Sequence, residues 1–278
     1  MNINWALFMI IRFVALLIII SWTLIPIIWF FMMSFTTYGG LPRGFELPRI
    51  LTLDSYKAVI YGEYSILPGI KDSLLFASVC ILLVFLGSLT SAYASSRIKG
   101  RFSRMVDSFL LIIRGVPYVG IGIPYFFMFR DWQLLDTVWA PAFALTTISL
   151  PTSVWILRQF VDGVPREYEE QAEVDGASFF DSFFKVVLPL MLPGLTVIFI
   201  LTFFSSYNHY VLNLMLSRGM FSPVAVKVAG FATELTVRWP EMAAASVVAV
   251  IPMILFFILF GKYLVRGFGS LGVGIKGY

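Results

Sequence analysis

The side chains that most often carry catalysis or bind metals are scarce in this chain. Its 278 residues contain one cysteine, Cys80, and one histidine, His209. A single cysteine excludes an intrachain disulfide and a multi-cysteine metal site, and a single histidine leaves no histidine-based cluster. The sequence also lacks a Gly-x-Ser-x-Gly nucleophile motif and a Gly-x-x-x-x-Gly-Lys-Ser/Thr phosphate-binding loop. These absences argue against a hydrolase, a metalloenzyme or a chain that hydrolyses nucleotides itself.

Charged side chains concentrate in residues 161–187, between two apolar runs. Pro165 suits the start of a helix, where a missing N–H costs nothing. The carboxylates of Glu169 and Glu170, with a third at Glu167, lie near that start and complement the helix dipole. Gly176 can take the positive φ that ends a helix. We therefore predict a short acidic helix followed by a tight turn.

A second short helix is predicted after this turn, with an apolar face of phenylalanines at 179, 180, 183 and 184. Asp181 and Lys185 have the i,i+4 spacing of a helical ion pair. Two interpretations remain open from the residues alone. The pair of helices is either an amphipathic element on a membrane surface or a docking site for a soluble partner.

A second polar cluster, Ser205 to Tyr210, ends an apolar run. Polar groups inside a membrane are costly unless they pair or line a wet cavity. Tyr207, Asn208 and Tyr210 offer the aromatic faces, amide and hydroxyls that bind sugars, which makes them candidates for a solute pathway. Alternatively, Asn208 ties its helix to neighbouring helices and Tyr210 anchors the membrane interface.

The composition requires a bilayer as the solvent. Hydrophobic residues make up 59% of the chain and charged residues only 13%, whereas soluble domains carry about 25% charged residues. We attribute the net charge of +4 to basic residues that orient the chain in the membrane, and we predict no nucleic-acid-binding surface. The fold class predicted is an all-α integral membrane protein.

Six stretches are long and apolar enough to span a bilayer, which takes roughly 20 residues. They lie at about 13–33, 73–93, 109–129, 138–157, 190–207 and 243–264. Basic residues are richer in the loops on the side of the termini, and the tightest cluster, Arg97 to Arg104, lies in a short loop. By the positive-inside rule, both termini are cytoplasmic, and loops 34–72 and 210–242 face outward. Arg114, in the third span, either snorkels to the interface or faces the bundle interior.

The acidic loop resembles the "EAA" loop of binding-protein-dependent ABC importer permeases. That pattern is Glu-Ala-Ala, two residues, Asp-Gly-Ala, and later Leu-Pro; here Glu170-Gln171-Ala172 precedes Asp175-Gly176-Ala177, and Leu188-Pro189 follows. Gln171 departs from the pattern. The resemblance implies that the loop couples to ATPase subunits. The residues implied are Glu169, Glu170, Ala172, Asp175, Gly176 and Ala177.

Other segments resemble the carbohydrate-uptake branch of these importers, in particular its maltose-type second permease. Ser91-Ala92-Tyr93-Ala94 with Arg97 is similar to an "A-Y-a-l-a-R" segment, and Arg114-Gly115-Val116-Pro117 to an "R-m-x-P" segment. Ser206 to Tyr210 stands where many members have Trp-Asn-Glu-Phe, so Tyr207 and His209 depart from the family there.

This resemblance implies a type I ABC importer permease fold of six transmembrane helices. Residues 1–278 would form one permease domain, with 161–187 as its cytoplasmic coupling loop. The chain would be a transport subunit of the plasma membrane and not an enzyme. Implied partners are a second permease in a heterodimer, two cytoplasmic ATPase subunits, an extracellular solute-binding protein and membrane lipid. The chain itself would hold no cofactor, because ATP and Mg would be bound by the ATPase subunits.

The solute implied is a sugar or a related polyhydroxy compound. A non-sugar solute such as a polyamine or a peptide remains the alternative. Cationic cargo would favour acidic residues inside the spans, and Asp107, Asp131 and Asp136 lie at span boundaries instead. The sequence does not say which sugar is carried.

Overall fold

The computed structural model describes residues 3–40, 51–98, 100–217, 219–233 and 236–272. Over these ranges the chain is helical, and its only β-type pairing is the isolated bridge between Ala232 and Val237. The helices are α1 (Ile3–Met33), α2 (Asp54–Tyr61), α3 (Leu67–Arg97), α4 (Arg101–Arg114), α5 (Tyr118–Asp131), α6 (Trp139–Asp162), α7 (Arg166–Val174), α8 (Phe179–Ser182), α9 (Leu188–Tyr207), α10 (Val211–Leu216), α11 (Val224–Ala229) and α12 (Trp239–Gly272).

The chain divides into two compact units, Met1–Leu67 with Val228–Ile251, and Pro68–Lys227 with Pro252–Tyr278. In the first unit, α2 is tied to the end of α1. The Ser34 and Tyr56 hydroxyls lie 2.6 Å apart, and Ser55 donates to the Thr36 carbonyl at 3.0 Å. Residues 7–28 of α1 are exposed, so lipid or a partner chain must cover their apolar side chains.

Within the ranges that the structure describes, five helical stretches are long and apolar enough to cross a membrane. They are Leu7–Met33, Leu67–Arg97, Trp139–Asp162, Phe179–Tyr207 and Trp239–Tyr263. Each overlaps a span predicted from the sequence. In a bilayer the backbone must satisfy its own hydrogen bonds, which explains why these stretches are helices.

The predicted third span, 109–129, is not one continuous helix. α4 ends at Arg114, Pro117 takes an extended conformation, and α5 begins at Tyr118. A proline disfavours helical geometry in the residue before it and provides no N–H for the helical ladder. The stretch therefore forms two helices of 14 residues each. The side chain of Arg114 lies outside the part of the chain that the structure describes.

The second unit holds two apolar clusters that fix the directions of its helices. One cluster joins the later part of α3, the end of α6 and the start of α9; the other joins the starts of α3 and α6 with α5 and α10. α3 and α6 therefore run parallel, and α9 runs back. Leu110 of α4 packs on the first cluster and Phe129 of α5 belongs to the second. The broken stretch thus returns the chain from one cluster to the other.

α8 continues into α9 through one wide π-helical turn, Phe183–Val187. Pro189 follows in the first turn of α9, and it has no N–H to donate to the carbonyl four residues earlier. π-turns occur where the regular ladder is interrupted in this way. The second helix of the acidic loop is therefore continuous with the apolar helix that follows it.

Candidate functional site

The acidic loop folds as the predicted pair of helices, with a Schellman turn between them. Gly176 has φ +89°, which confirms the left-handed conformation expected there. Its N–H donates to the Glu173 carbonyl at 3.0 Å, and the Ala177 N–H donates to the Ala172 carbonyl at 2.9 Å. These two bonds satisfy carbonyls that the helix end would leave without partners. Ala172, Gly176 and Ala177 thus set the direction in which α8 leaves α7.

α8 is stabilised at its own start. The Ser178 side chain accepts a hydrogen bond from the Asp181 N–H at 3.2 Å, a standard N-cap interaction. Lys185 Nζ lies 2.5 Å from Asp181 Oδ1, which confirms the predicted i,i+4 pair. Both groups are substantially exposed, so solvent screens this pair and it adds little to stability.

Glu169 points inward, towards the end of α3. Its Oε2 accepts a hydrogen bond from the Tyr93 hydroxyl at 2.5 Å, and its Oε1 lies 2.5 Å from Arg97 Nη2. The Glu169 residue is only 9% exposed. A buried carboxylate is costly unless charge and hydrogen bonds compensate it, and Tyr93 and Arg97 provide both.

Further contacts tie the end of α3 to the segment that leads into α7. Arg97 Nη2 donates to the Val164 carbonyl at 3.1 Å, and Arg166 Nη2 donates to the Arg97 carbonyl. The Ser96 hydroxyl donates to Asp162 Oδ1 at 2.5 Å. Residues 162–169 are therefore held against the last turn of α3.

The aromatic face of the second helix completes this attachment. The Tyr93 ring packs edge-on against Phe183, with centroids 5.0 Å apart, and against Phe179 at 5.9 Å. Phe180 and Phe184, which project elsewhere, are 69% and 56% exposed. Of the four phenylalanines that the sequence assigned to one apolar face, Phe179 and Phe183 contact Tyr93, and Phe179 is itself 56% exposed.

The opposite side of α7 carries an open, acidic depression of about 540 Å³. Its lining residues are Glu167, Glu170, Gln171, Val174 and Asp175. Val174 is 87% exposed, so an apolar side chain stands among carboxylates at the surface. Among the predicted coupling residues, Glu170 and Asp175 thus face outward, whereas Glu169 does not.

A separate cleft of about 380 Å³ lies in the second unit, between α5, α6 and α9. Its lining residues are Tyr118, Ile148, Ser149, Thr152, Ser153, Ile156, Leu201, Thr202 and Ser205. Six of these nine side chains carry a hydroxyl, and none of the nine is charged. This cleft was not predicted from the sequence. The signal that could have indicated it is the spacing of small polar residues, three and four apart, in the apolar runs of α6 and α9.

The predicted pathway residues lie apart from the residues that line this cleft. Tyr207 is 1% exposed, and its ring stacks on Phe203 with centroids 5.6 Å apart. Asn208 ends α9 and is exposed, and Tyr210 is 39% exposed just before α10. Of the polar cluster from 205 to 210, Ser205 is the member that lines the cleft.

His209 connects this segment to the cleft. Its ring meets the Tyr118 ring edge-on, with centroids 5.0 Å apart, and Tyr118 lines the cleft. Burial lowers the pKa of His209 to about 4, because a poorly solvated site disfavours the charged imidazolium. His209 is therefore neutral at physiological pH and adds no charge near the cleft.

Membrane-length apolar helices, a cleft lined in part by hydroxyl side chains and an acidic helical loop are features that suit a membrane transport subunit. Residues 84–270 match the family described as "Binding-protein-dependent transport system inner membrane component". The match covers well over half of the chain, which therefore belongs to this family. It is a permease of an ABC importer, a transport component and not an enzyme.

Curated relatives match over most of their length. The trehalose transport system permease protein SugB of Mycobacterium tuberculosis is 27% identical over 256 residues, covering 91% of this chain and 93% of SugB. The trehalose/maltose transport system permease protein MalG of Thermococcus litoralis is 30% identical over 255 residues, covering 88% of this chain and 89% of MalG.

A solved structure shares the fold. It is a crystal structure of a bacterial ABC transporter involved in the import of the acidic polysaccharide alginate. The TM-score is 0.79 at 22% sequence identity, over 95% of this chain and 98% of that chain. At this identity the likeness establishes a common fold and does not assign a substrate.

Proposed function

We propose that this permease forms half of the translocation pathway for a neutral sugar or related polyhydroxy solute. The observation that carries this proposal is the cleft between α5, α6 and α9, with its six hydroxyl side chains and no charged lining residue. Hydroxyl groups exchange hydrogen bonds with a sugar as it leaves water. The relatives named for trehalose and maltose transport support the same class of solute.

The absence of charge among the lining residues separates this proposal from its rivals. An acidic polysaccharide such as alginate requires cationic groups along its path, and a polyamine requires anionic ones. Neither type lines this cleft. A peptide remains the alternative solute that an uncharged polar cleft could accept.

We propose six membrane spans in a type I permease fold, with both termini cytoplasmic. α4 and α5 together would make the third crossing, because they return the chain between the two clusters that α3 and α6 also connect. A break inside a span is tolerated where protein or a cavity satisfies the freed backbone groups. Tyr118, which begins α5 just after the break, lines the cleft.

Coupling is proposed to run through the 161–187 loop, which would dock on a cytoplasmic ATPase subunit. Glu170 and Asp175 present carboxylates on an open surface beside the apolar Val174. The assembly would contain this chain, a second permease, two ATPase subunits that bind ATP and Mg²⁺, and an extracellular binding protein. The predicted pathway residues remain proposed neighbours of the pathway, because His209, in the same segment, contacts Tyr118 of the cleft. They are Tyr207, Asn208 and Tyr210.

The proposal is tested by uptake into cells that express the complete importer. Radiolabelled trehalose, maltose, putrescine and a neutral dipeptide would be supplied at equal concentrations. ATP-dependent accumulation of a disaccharide, reduced in a Thr152→Val variant at normal complex yield, is the expected result. Accumulation of putrescine or the dipeptide with no disaccharide uptake would assign another class of solute.

A further inference from the structure

The charged groups of α7 divide between two sides of the helix. Glu170 and Glu173 are exposed, whereas Glu169 is buried against Tyr93 and Arg97. The Glu169–Arg97 pair is well shielded, with side-chain exposures of 12% and 14%. A coupling helix that needed only an acidic exterior would leave Glu169 in water. Its inward orientation gives this carboxylate a role inside the subunit.

We propose that Tyr93, Arg97 and Glu169 form a positioning cluster that holds α7 on the end of α3 in the orientation an ATPase subunit recognises. This inference rests on the proposed coupling function of the loop. By this inference Glu169 does not touch the ATPase subunit. Tyr93 and Arg97 affect ATPase binding by holding Glu169, and with it α7, in place. A pre-oriented surface binds more tightly because less conformational freedom is lost on binding.

The choice of α3 as the attachment point has a mechanical consequence. α3 contributes to both apolar clusters of the second unit, through Val84 and Ala92 in one and Phe76 and Cys80 in the other. Its Gly87 lies against Leu150 of α6, where an added Cβ would come within 2.7 Å of a Leu150 methyl carbon. A displacement of α7 would therefore reach α3 through the cluster and α6 through this contact.

That second contact lies next to the cleft. Ser149, adjacent to Leu150 in the chain, lines it. The cluster is therefore the first in a series of contacts, from α7 to α3 to α6, that connects the acidic surface with a wall of the cleft. Because packed helices shift as units, a loop fixed to α3 transmits movement better than a loop attached by its termini alone.

The test uses the full-length permease in lipid nanodiscs, free of ATPase subunits. Tyr93→Phe removes the hydroxyl that donates to Glu169 but keeps the ring against Phe179 and Phe183. We expect the amides of 166–174 to exchange with deuterium about tenfold faster, the loss expected for one hydrogen bond to a charged group. Exchange in α6 and α9 should stay unchanged. Tyr61→Phe is the matched control, because Tyr61 is 86% exposed in α2.

Binding of the purified ATPase subunit is measured on the same samples. Tyr93→Phe should weaken binding about tenfold, and Arg97→Glu should weaken it further. Combining Arg97→Glu with Glu169→Arg restores an opposite pair of charges and should recover part of the affinity. Recovery would show that the ion pair between residues 97 and 169, and not either side chain alone, supports ATPase binding.

Two results would overturn the inference. One is unchanged exchange of α7 in Tyr93→Phe, and the other is faster exchange with unchanged ATPase affinity and no recovery in the charge-swapped variant. Failure of the unmodified permease to bind any ATPase subunit overturns the proposed coupling function itself, and with it the role of the cluster in recognition. The exchange measurement, made on the permease alone, tells these failures apart.

Discussion

Gly194 of α9 lies directly against the ring of Phe160 in α6. A Cβ added at Gly194 would come within 2.4 Å of Phe160 Cδ2, closer than van der Waals contact allows. Phe160 and Gly194 are both buried. This close approach sets the spacing of the two helices that supply most of the cleft lining.

The first prediction concerns this contact. Gly194→Ala should lower the stability of the folded permease by about 1–3 kcal/mol, because a buried ring must move to admit the methyl group. Thermal unfolding in detergent measures the change. Gly120→Ala is the control, since its added Cβ would meet only ordinary contacts of 3.5 Å or more. If the two variants are equally stable, α6 and α9 can move apart to admit the added methyl group, and the prediction is wrong.

The second prediction concerns the exposed face of α7. Glu170→Arg should abolish most ATPase recruitment, because it places a cation where the partner is expected to present one. Folding should be unaffected, since Glu170 is exposed. Co-purification of the ATPase subunit with the tagged permease measures recruitment. Glu173→Arg is the matched control, because Glu173 lies on the same helix but outside the acidic depression. If both variants lose ATPase recruitment equally, the effect comes from the change in net charge and the prediction is wrong.

The third prediction concerns the turn between α7 and α8. Gly176→Val should uncouple ATP hydrolysis from uptake, because a β-branched residue resists the positive φ found there. Space does not limit the substitution, as an added Cβ would meet nothing within 4 Å. Gly176→Asn should keep most coupling, because Asn tolerates this conformation. The ratio of solute transported to ATP hydrolysed in proteoliposomes distinguishes the two variants, and equal ratios would contradict the argument.

The fourth prediction concerns orientation. The single native thiol, Cys80, is buried. It is first removed by Cys80→Ala, so that each variant carries only the introduced cysteine. A cysteine at Gly39 should react with an impermeant maleimide in intact cells, whereas one at Gln171 should react only after the membrane is opened. Both positions are exposed, so reactivity reports the side of the membrane. The reverse pattern would place the acidic loop outside and exclude coupling to a cytoplasmic ATPase.

The fifth prediction separates packing from pathway residues. Tyr207→Ala should destabilise the protein by about 3–5 kcal/mol, the cost of removing a large buried ring. Thr152→Val keeps the side-chain volume but removes a hydroxyl from the cleft, so uptake should fall while thermal stability stays near that of the unmodified protein. Uptake per assembled complex and thermal unfolding are measured on both variants. Asn208→Ala, at an exposed position, tests whether the helix end contributes to uptake at all.

The sequence by itself determined the membrane class, five of the spans and the acidic loop. Long apolar runs have few alternatives in lipid, because a helix alone satisfies the backbone within one segment. The positive φ of Gly176 and the Asp181–Lys185 pair were also predictable, since both depend on residues only a few positions apart. Local chemistry is sufficient for features of this kind.

Tertiary structure decided which side of each helix faces inward. Nothing local distinguishes Glu169 from Glu170, and only the position of α3 places the first beside Arg97 and leaves the second exposed. The cleft likewise needs α5, α6 and α9 together, and it draws its hydroxyls from residues that are far apart in the chain. Packing also decided that the Tyr207 ring is buried against Phe203; its role in the pathway stays a prediction. Contacts between distant segments depend on how helices pack, and one sequence read locally does not contain that information.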